Sequence, residues 1–64
     1  MKVEQIKEAV SEGKQVVWHH EGYQVIKDSL DQYLIKCTMN NSYIGLTHKD
    51  GSTLNGQENE FFII

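Results

Sequence analysis

Proline is absent from the chain, and cysteine occurs only once, at Cys37. A single thiol excludes an intramolecular disulfide, and small secreted domains generally carry even sets of cysteines, so the sequence predicts a reducing, cytoplasmic location. Without proline every strand keeps its backbone N–H donors, but no edge strand is protected by a proline. The fold therefore depends on its hydrophobic core and not on covalent cross-links.

Long apolar runs and clusters of positive charge are also missing. No stretch of about 18 apolar residues occurs, and a membrane-spanning helix requires one. The first residues lack the apolar run of a signal peptide, so we expect no membrane contact. Six Lys plus Arg stand against nine Asp plus Glu, a formal net charge of −3. Binding to phosphates needs many cations, so a nucleic-acid partner is disfavoured.

The length of 64 residues allows one domain, residues 1–64, with a single small core. Hydrophobic residues make up 39% of the chain, and no segment is of low complexity, so we expect all of it to fold. A core of this size rarely provides more than about 3–5 kcal/mol of net stability. Most apolar side chains are therefore needed for folding.

The first dozen residues have the pattern of a short amphipathic helix. Val3, Ile6, Ala9 and Val10 recur at spacings of three and four, which places them on one face of a helix. Gly13 follows where a left-handed C-terminal cap is favoured. We predict a helix over residues 2–12 that packs on an apolar surface, since a helix this short is marginal alone.

The residue types change to β-branched and aromatic after Lys14, which predicts antiparallel strands within residues 14–64. Turn-forming residues separate these runs at Glu21 and Gly22, residues 29–32, residues 40–42, Asp50 and Gly51, and Asn55 and Gly56. The connections are too short for the crossovers that parallel strands need, so the sequence predicts a meander. Asp50 and Gly51 are predicted to join a strand over residues 43–49 to one over residues 52–54.

The predicted fold is α+β, with the helix packed on a curved antiparallel sheet of four or five strands. The last strand, residues 60–64, is apolar. It either closes the sheet into an SH3-like barrel or pairs with another molecule, and we expect it to complete the core. The predicted core draws on Val3, Ile6, Val10, Val16, Trp18, Tyr23, Val25, Tyr33, Ile35, Ile44, Leu46, Leu54 and Phe62. A shift of one residue would exchange the two faces of a strand.

Two adjacent histidines, His19 and His20, are the first candidate site. Neighbouring residues on a regular strand point to opposite faces, so both rings reach one metal only if a bulge intervenes. His48 and Cys37 could add ligands, but no C-x-x-C or H-x-x-x-H spacing occurs, and zinc normally needs three or four protein ligands. We expect no metal or other cofactor, with His20 at the mouth of a hairpin and His19 in solvent.

No pattern of residues indicates a catalytic centre. Cys37 and a histidine could form a nucleophile and its base, but Cys37 alternates with Tyr33 and Ile35, so we expect a buried, inert thiol. The acidic pairs of residues 28 and 31 and of residues 58 and 60 have no apolar surroundings that would shift their pKa values. The sequence therefore predicts a protein that is not an enzyme.

The aromatic residues support an alternative function. Trp18, Tyr23, Tyr33 and Tyr43 could form a stacking platform for single-stranded nucleic acid on a small β-barrel. The interleaved cations of such a site are missing, so core packing is the preferred interpretation.

The order of segments, a short helix and then "GKQVVW", "GYQVIKD", "YLIKC" and "IGLTHKDGSTLNGQE", resembles the small uncharacterised proteins carried by phages, prophages and other mobile elements. The resemblance implies an accessory protein that binds a host or phage component. It carries no active residues over to this chain.

The function predicted from the sequence is that of a non-enzymatic binding module acting through protein–protein contact, with another protein or as a homodimer. The predicted interaction surface comprises Phe61, Phe62, Ile63 and Ile64 together with His19 and His20.

Overall fold

A computed structural model describes all residues, 1–64. It contains one helix and five strands, and a short 3-10 helix, Glu58–Glu60, precedes the last strand. The elements are α1 (Val3–Ser11), β1 (Val16–Trp18), β2 (His20–Lys27), β3 (Tyr33–Cys37), β4 (Ser42–Gly45) and β5 (Phe61–Ile63). No helix is both long and apolar enough to cross a membrane.

The helix ends where the sequence predicts. Gly13 has φ of 87°, a left-handed conformation that glycine adopts without strain. The N–H of Gly13 donates to the carbonyl of Val10 at 3.1 Å, and the N–H of Lys14 donates to the carbonyl of Ala9 at 3.0 Å. These two bonds form a Schellman motif, which satisfies the last carbonyls of α1.

All five strands are antiparallel, in the order β4-β3-β2-β1-β5. The predicted α+β fold is confirmed, but the SH3-like barrel is wrong because β4 and β5 lie at opposite edges of an open sheet. Residues 46–57, which connect these strands, form turns and one isolated bridge, Thr47 to Leu54. This segment bonds to itself and to β3, so it adds no ladder that would close the sheet.

The core lies between α1 and one face of the sheet. Its buried members are Ile6, Ala9, Val16, Val25, Ile35, Leu46 and Phe61. Three predicted core residues are wrong: Ile44 is 45% exposed, Phe62 is 42% exposed, and Val3 is only half-buried and does not pack against this core. Ile44 lies on edge strand β4, whereas α1 packs on β1 and β2. Phe61, not Phe62, points toward the helix, because Trp18, its partner in the ladder, packs against this core, whereas Val17, the partner of Phe62, does not belong to it.

The turn predicted at Glu21 and Gly22 is also wrong, because both residues lie inside β2. The chain instead reverses at His19, whose φ is 65°. The register between β1 and β2 shifts after Val17, which marks a bulge at this reversal.

The turns before β3 and β4 form as predicted. The Asp28 carboxylate accepts hydrogen bonds from the N–H groups of Leu30 and Gln32, both at 2.9 Å. Asn40 Oδ1 accepts one from the N–H of Ser42 at 3.0 Å. Such side-chain bonds to the following backbone are the reason why Asp and Asn favour turns.

Asp50 and Gly51 also form a reversal, but the strand predicted over residues 43–49 ends at Gly45, and residues 52–54 do not form the predicted strand. The carboxylate of Asp50 accepts hydrogen bonds from the hydroxyl and N–H of Thr53 and from the N–H of Ser52. These bonds lower the pKa of Asp50 to about 2, the hydroxyl of Thr53 having the largest effect. The side chain thus fixes an irregular loop in place of a regular hairpin.

Candidate interaction surface

Strand β5 has a partner on one side only. It pairs with β1 through Val17 and Phe62 and the pairs on either side of them, and no strand follows it in the sheet. An unpaired edge exposes backbone donors and acceptors to which another chain can bind.

The ladder bonds show which backbone groups point outward. At the two ends of the ladder, the N–H of His19 donates to the carbonyl of Glu60 at 2.9 Å, and the N–H of Ile64 donates to the carbonyl of Gln15 at 3.1 Å. Because bonded and non-bonded pairs alternate in an antiparallel ladder, Phe61 and Ile63 direct their backbone groups away from β1. The N–H of Phe61 bonds to the Glu58 carbonyl. The outer edge therefore offers the Phe61 carbonyl and both backbone groups of Ile63.

Three apolar side chains line this edge in solvent. Phe62 is 42% exposed, Ile63 46% and Ile64 54%. Phe61, which the sequence also assigns to the interaction surface, is only 2% exposed and belongs to the core. The apolar surface at β5 thus consists of residues 62–64.

A groove of about 420 Å³ runs between β5 and α1. Its helical wall consists of Gln5, Glu8, Ala9 and Glu12, and Phe61, Phe62 and Ile63 form the strand side. At one end, the Met1 amino group bonds to the carbonyl of Glu58. Lys14 lies at the other end, because the carbonyl of the next residue, Gln15, accepts a hydrogen bond from the N–H of Ile64. The helix and β5 therefore run in the same direction along the groove.

The charges of the groove are unevenly paired. Lys14 Nζ lies 3.2 Å from a carboxylate oxygen of Glu12, whereas Glu8 forms no ion pair. Glu8 is thus an exposed and unpaired carboxylate on the helical wall, between the two positive ends of the groove.

Glu60 fixes the start of β5 to the bulge at His19. One oxygen of its carboxylate accepts hydrogen bonds from the N–H of Gln57 at 2.8 Å and from Nε1 of Trp18 at 3.2 Å. The other oxygen lies 3.3 Å from Nε2 of His19. The N–H of Gln57, then the Trp18 indole, then His19 lower the pKa of the Glu60 carboxyl. These contacts favour the ionised carboxylate, which links the start of β5 to the end of β1.

The two histidines have different partners. His19 faces Glu60, whereas Nδ1 of His20 accepts a hydrogen bond from the N–H of Gly22 at 2.9 Å. Both side chains are exposed, which the sequence predicts for His19. No group of three or more His, Cys, Asp or Glu side chains lies close enough together to hold a metal ion.

Cys37 is buried, as predicted. The hollow beside it, about 180 Å³, is lined by Tyr23, Ile35, Cys37, Asn40, Ser42, Tyr43 and Ile44. No histidine lines this hollow.

The four aromatic residues of the proposed stacking platform do not lie together. Trp18 and Tyr23 pack edge to face with ring centres 5.3 Å apart. The hydroxyl of Tyr33 bonds to Ser11 at the end of α1, and Tyr43 lies on β4 opposite Lys36. The structure therefore brings together only two of the four.

The acidic groove wall is the feature that sequence reasoning missed. Residues 5, 8, 9 and 12 recur at helical spacing, so they could have been recognised as one face of α1. Their position beside β5 depends on the docking of the helix, which the local pattern does not determine.

Comparisons of this chain with protein-family models, with curated proteins and with solved structures found no match.

Proposed function

We propose that the chain is a non-enzymatic binding module that acts through protein–protein contact, and that its contact surface is the outer edge of β5. The observation that carries this proposal is an unpaired edge strand with three exposed apolar side chains, Phe62, Ile63 and Ile64. Extended segments of other proteins bind such edges by adding a strand to the sheet. Backbone hydrogen bonds then provide affinity, and the side-chain contacts provide specificity.

The other sheet edge supports the proposal less well. Strand β4 also exposes apolar side chains, Tyr43 and Ile44. The hollow beside these side chains is about 180 Å³, against about 420 Å³ for the groove along β5. A further hollow of about 390 Å³ touches β4 at Gly45 and α1 at Lys7, but most of its lining is polar. Strand β5 combines a free edge with a longer helical wall, so it offers a bound strand apolar contacts on more than one side.

Two forms of contact use this edge. A second copy of the chain can pair β5 with β5, or a different protein can contribute the added strand. In both forms the N–H of Ile63 becomes a hydrogen-bond donor across the interface.

The Ile63→Pro variant tests the surface. It removes the outward N–H of Ile63 and leaves the bonds between β5 and β1 intact. The matched control is Tyr43→Pro on β4, because the N–H of Leu46 bonds inward to the carbonyl of Tyr33 and the alternation directs the Tyr43 N–H outward. Circular dichroism establishes that both variants are folded.

Self-association is measured by light scattering, and peptide binding by selection from a displayed library on the immobilised chain. We expect association with a second copy or with selected peptides, weakened about tenfold or more by Ile63→Pro and unchanged by Tyr43→Pro. The proposal fails if the chain neither self-associates nor selects a peptide, or if Ile63→Pro binds as tightly as the wild type.

A further inference from the structure

On the basis of the proposed function, we infer that an extended segment of a different protein occupies the groove. In this segment apolar side chains flank one lysine or arginine, and this cation pairs with Glu8.

The groove accommodates about one short strand. Residues 5 to 12 of the helical wall extend over about 10 Å at 1.5 Å per residue. A strand rises about 3.3 Å per residue, so this length matches about three residues. The outward backbone groups of Phe61 and Ile63 lie along the same length. An added strand can therefore bond to β5 and contact α1 at once.

The two faces of an added strand meet different surroundings. Ile63 lies opposite Val16, a core residue, so Ile63 projects on the face that carries α1. Side chains of the ligand on this face meet Ile63 and the helical wall, where the short side chain of Ala9 leaves space. Side chains on the other face meet Phe62, whose ring is 42% exposed. Apolar residues thus fit both faces.

The charges of the groove determine which ligand side chain fits beside the helix. Lys14 already pairs with Glu12, and the Met1 amino group already bonds to Glu58. Glu8 is the unpaired charge in the wall. A cationic side chain that faces the helix therefore gains an ion pair there, whereas an anionic one is repelled.

A second copy of the chain fits the groove less well. Residues 60–64, which would form the added strand, contain Glu60 and four apolar residues but no cation. In an antiparallel β5–β5 pair the two helices lie on the same face of the joined sheet, because the twofold axis is perpendicular to it. The acidic walls of both copies then contribute like charges at one interface. The charge pattern therefore favours a different, basic partner.

Synthetic seven-residue peptides test this inference in fluorescence anisotropy titrations. All carry the same apolar residues and differ only at the centre, which is Lys, Gln or Glu. We expect the Lys peptide to bind about two- to fivefold more tightly than the Gln peptide at low salt, and the Glu peptide to bind most weakly. High salt reduces these differences.

Two variants locate the effect on the helix. Glu8→Gln abolishes the preference for the Lys peptide, whereas Glu4→Gln preserves it, since Glu4 lies on the same helix but does not line the groove. N-methylation of the Lys peptide tests strand addition without changing the protein. Methyl groups on the amides that point toward β5 weaken binding about tenfold, whereas methyl groups on the alternate amides, which point away, have no effect.

The outcomes separate this inference from the proposed function. If the three peptides bind with equal affinity and none of them binds the Ile63→Pro variant, the inference of a basic partner is overturned, but the β5 edge remains the contact surface. The same conclusion follows if the chain forms a homodimer and binds none of the peptides. If the chain neither binds any peptide nor self-associates, the basic partner and the contact surface are both overturned.

Discussion

Phe61 and Phe62 are identical neighbours with opposite roles. Phe61 is 2% exposed and packs in the core beneath α1, whereas Phe62 is 42% exposed on the other face of the sheet. The ring of Phe61 also stacks beside Trp18, with ring centres 6.0 Å apart. One side chain holds the fold together, and the other is available for contact.

Substitution by alanine should separate these roles. Phe61→Ala is expected to cost about 3–5 kcal/mol of unfolding free energy, because it leaves a cavity in the core. Such a loss is comparable with the whole net stability of a domain this small, roughly 3–5 kcal/mol. Phe62→Ala should cost about 1 kcal/mol or less, since its ring already contacts water. Urea unfolding followed by circular dichroism measures both values, and equal losses would contradict the assignment of faces.

The sequence predicts that the two phenylalanines point to opposite faces, but it does not predict which one is buried. Alternation gives the relative orientation, whereas the absolute face depends on the register of β5 against β1. The two strands are far apart in sequence, and Glu60 contacts His19, about forty residues away, at the start of β5. Local pattern cannot determine a register between such distant segments, so the predicted core contains Phe62 in place of Phe61.

At the scale of elements, the end of α1 depends on the left-handed conformation of Gly13, whose φ is 87°. An added Cβ at this position would meet no atom within 4 Å, so a substitution acts on the backbone conformation and not on packing. We expect Gly13→Ala to cost about 1 kcal/mol of unfolding free energy.

D-alanine at position 13 provides the control, and a 64-residue chain is short enough to make by chemical synthesis. Its left-handed preference should preserve or raise stability, in contrast to L-alanine. Thermal unfolding of the three proteins measures the difference. Equal stability of the two alanine forms would show that the backbone at Gly13 does not limit the helix.

Helix α1, strand β3 and the turns before β3 and β4 follow from local signals, which the sequence contains in full. The apolar spacing at Ile6 and Ala9 and the turn residues Asp28 and Asn40 each act within a few positions of themselves. The reversal at His19 has only a weak local signal, because non-glycine residues seldom adopt positive φ, although histidine does so more often than most. The residue types at Glu21 and Gly22 instead predict a turn, but the pairing of β2 with β3 keeps this segment extended.

At the scale of the whole molecule, the open sheet leaves two edges unpaired, and no proline protects either of them. The sequence predicts the layers correctly but not the openness of the sheet, because closure depends on whether residues 46–57 pair with β5. They fold on themselves, and Leu46 is fully buried. The net charge of −3 favours cationic partners over copies of the chain. The resemblance to mobile-element accessory proteins stays a prediction.

The central claim is that the backbone edge at Ile63 is free in the isolated chain and occupied in its complex. Amide hydrogen exchange, followed by NMR with and without the saturating Lys-centred peptide, tests it most directly. Phe62, whose N–H faces β1, is the internal reference because it should exchange slowly in both states. We predict fast exchange at Ile63 in the dilute free chain and slowing of at least about tenfold in the complex. Protection of Ile63 in the free chain, or exchange that the peptide leaves unchanged, would contradict the account.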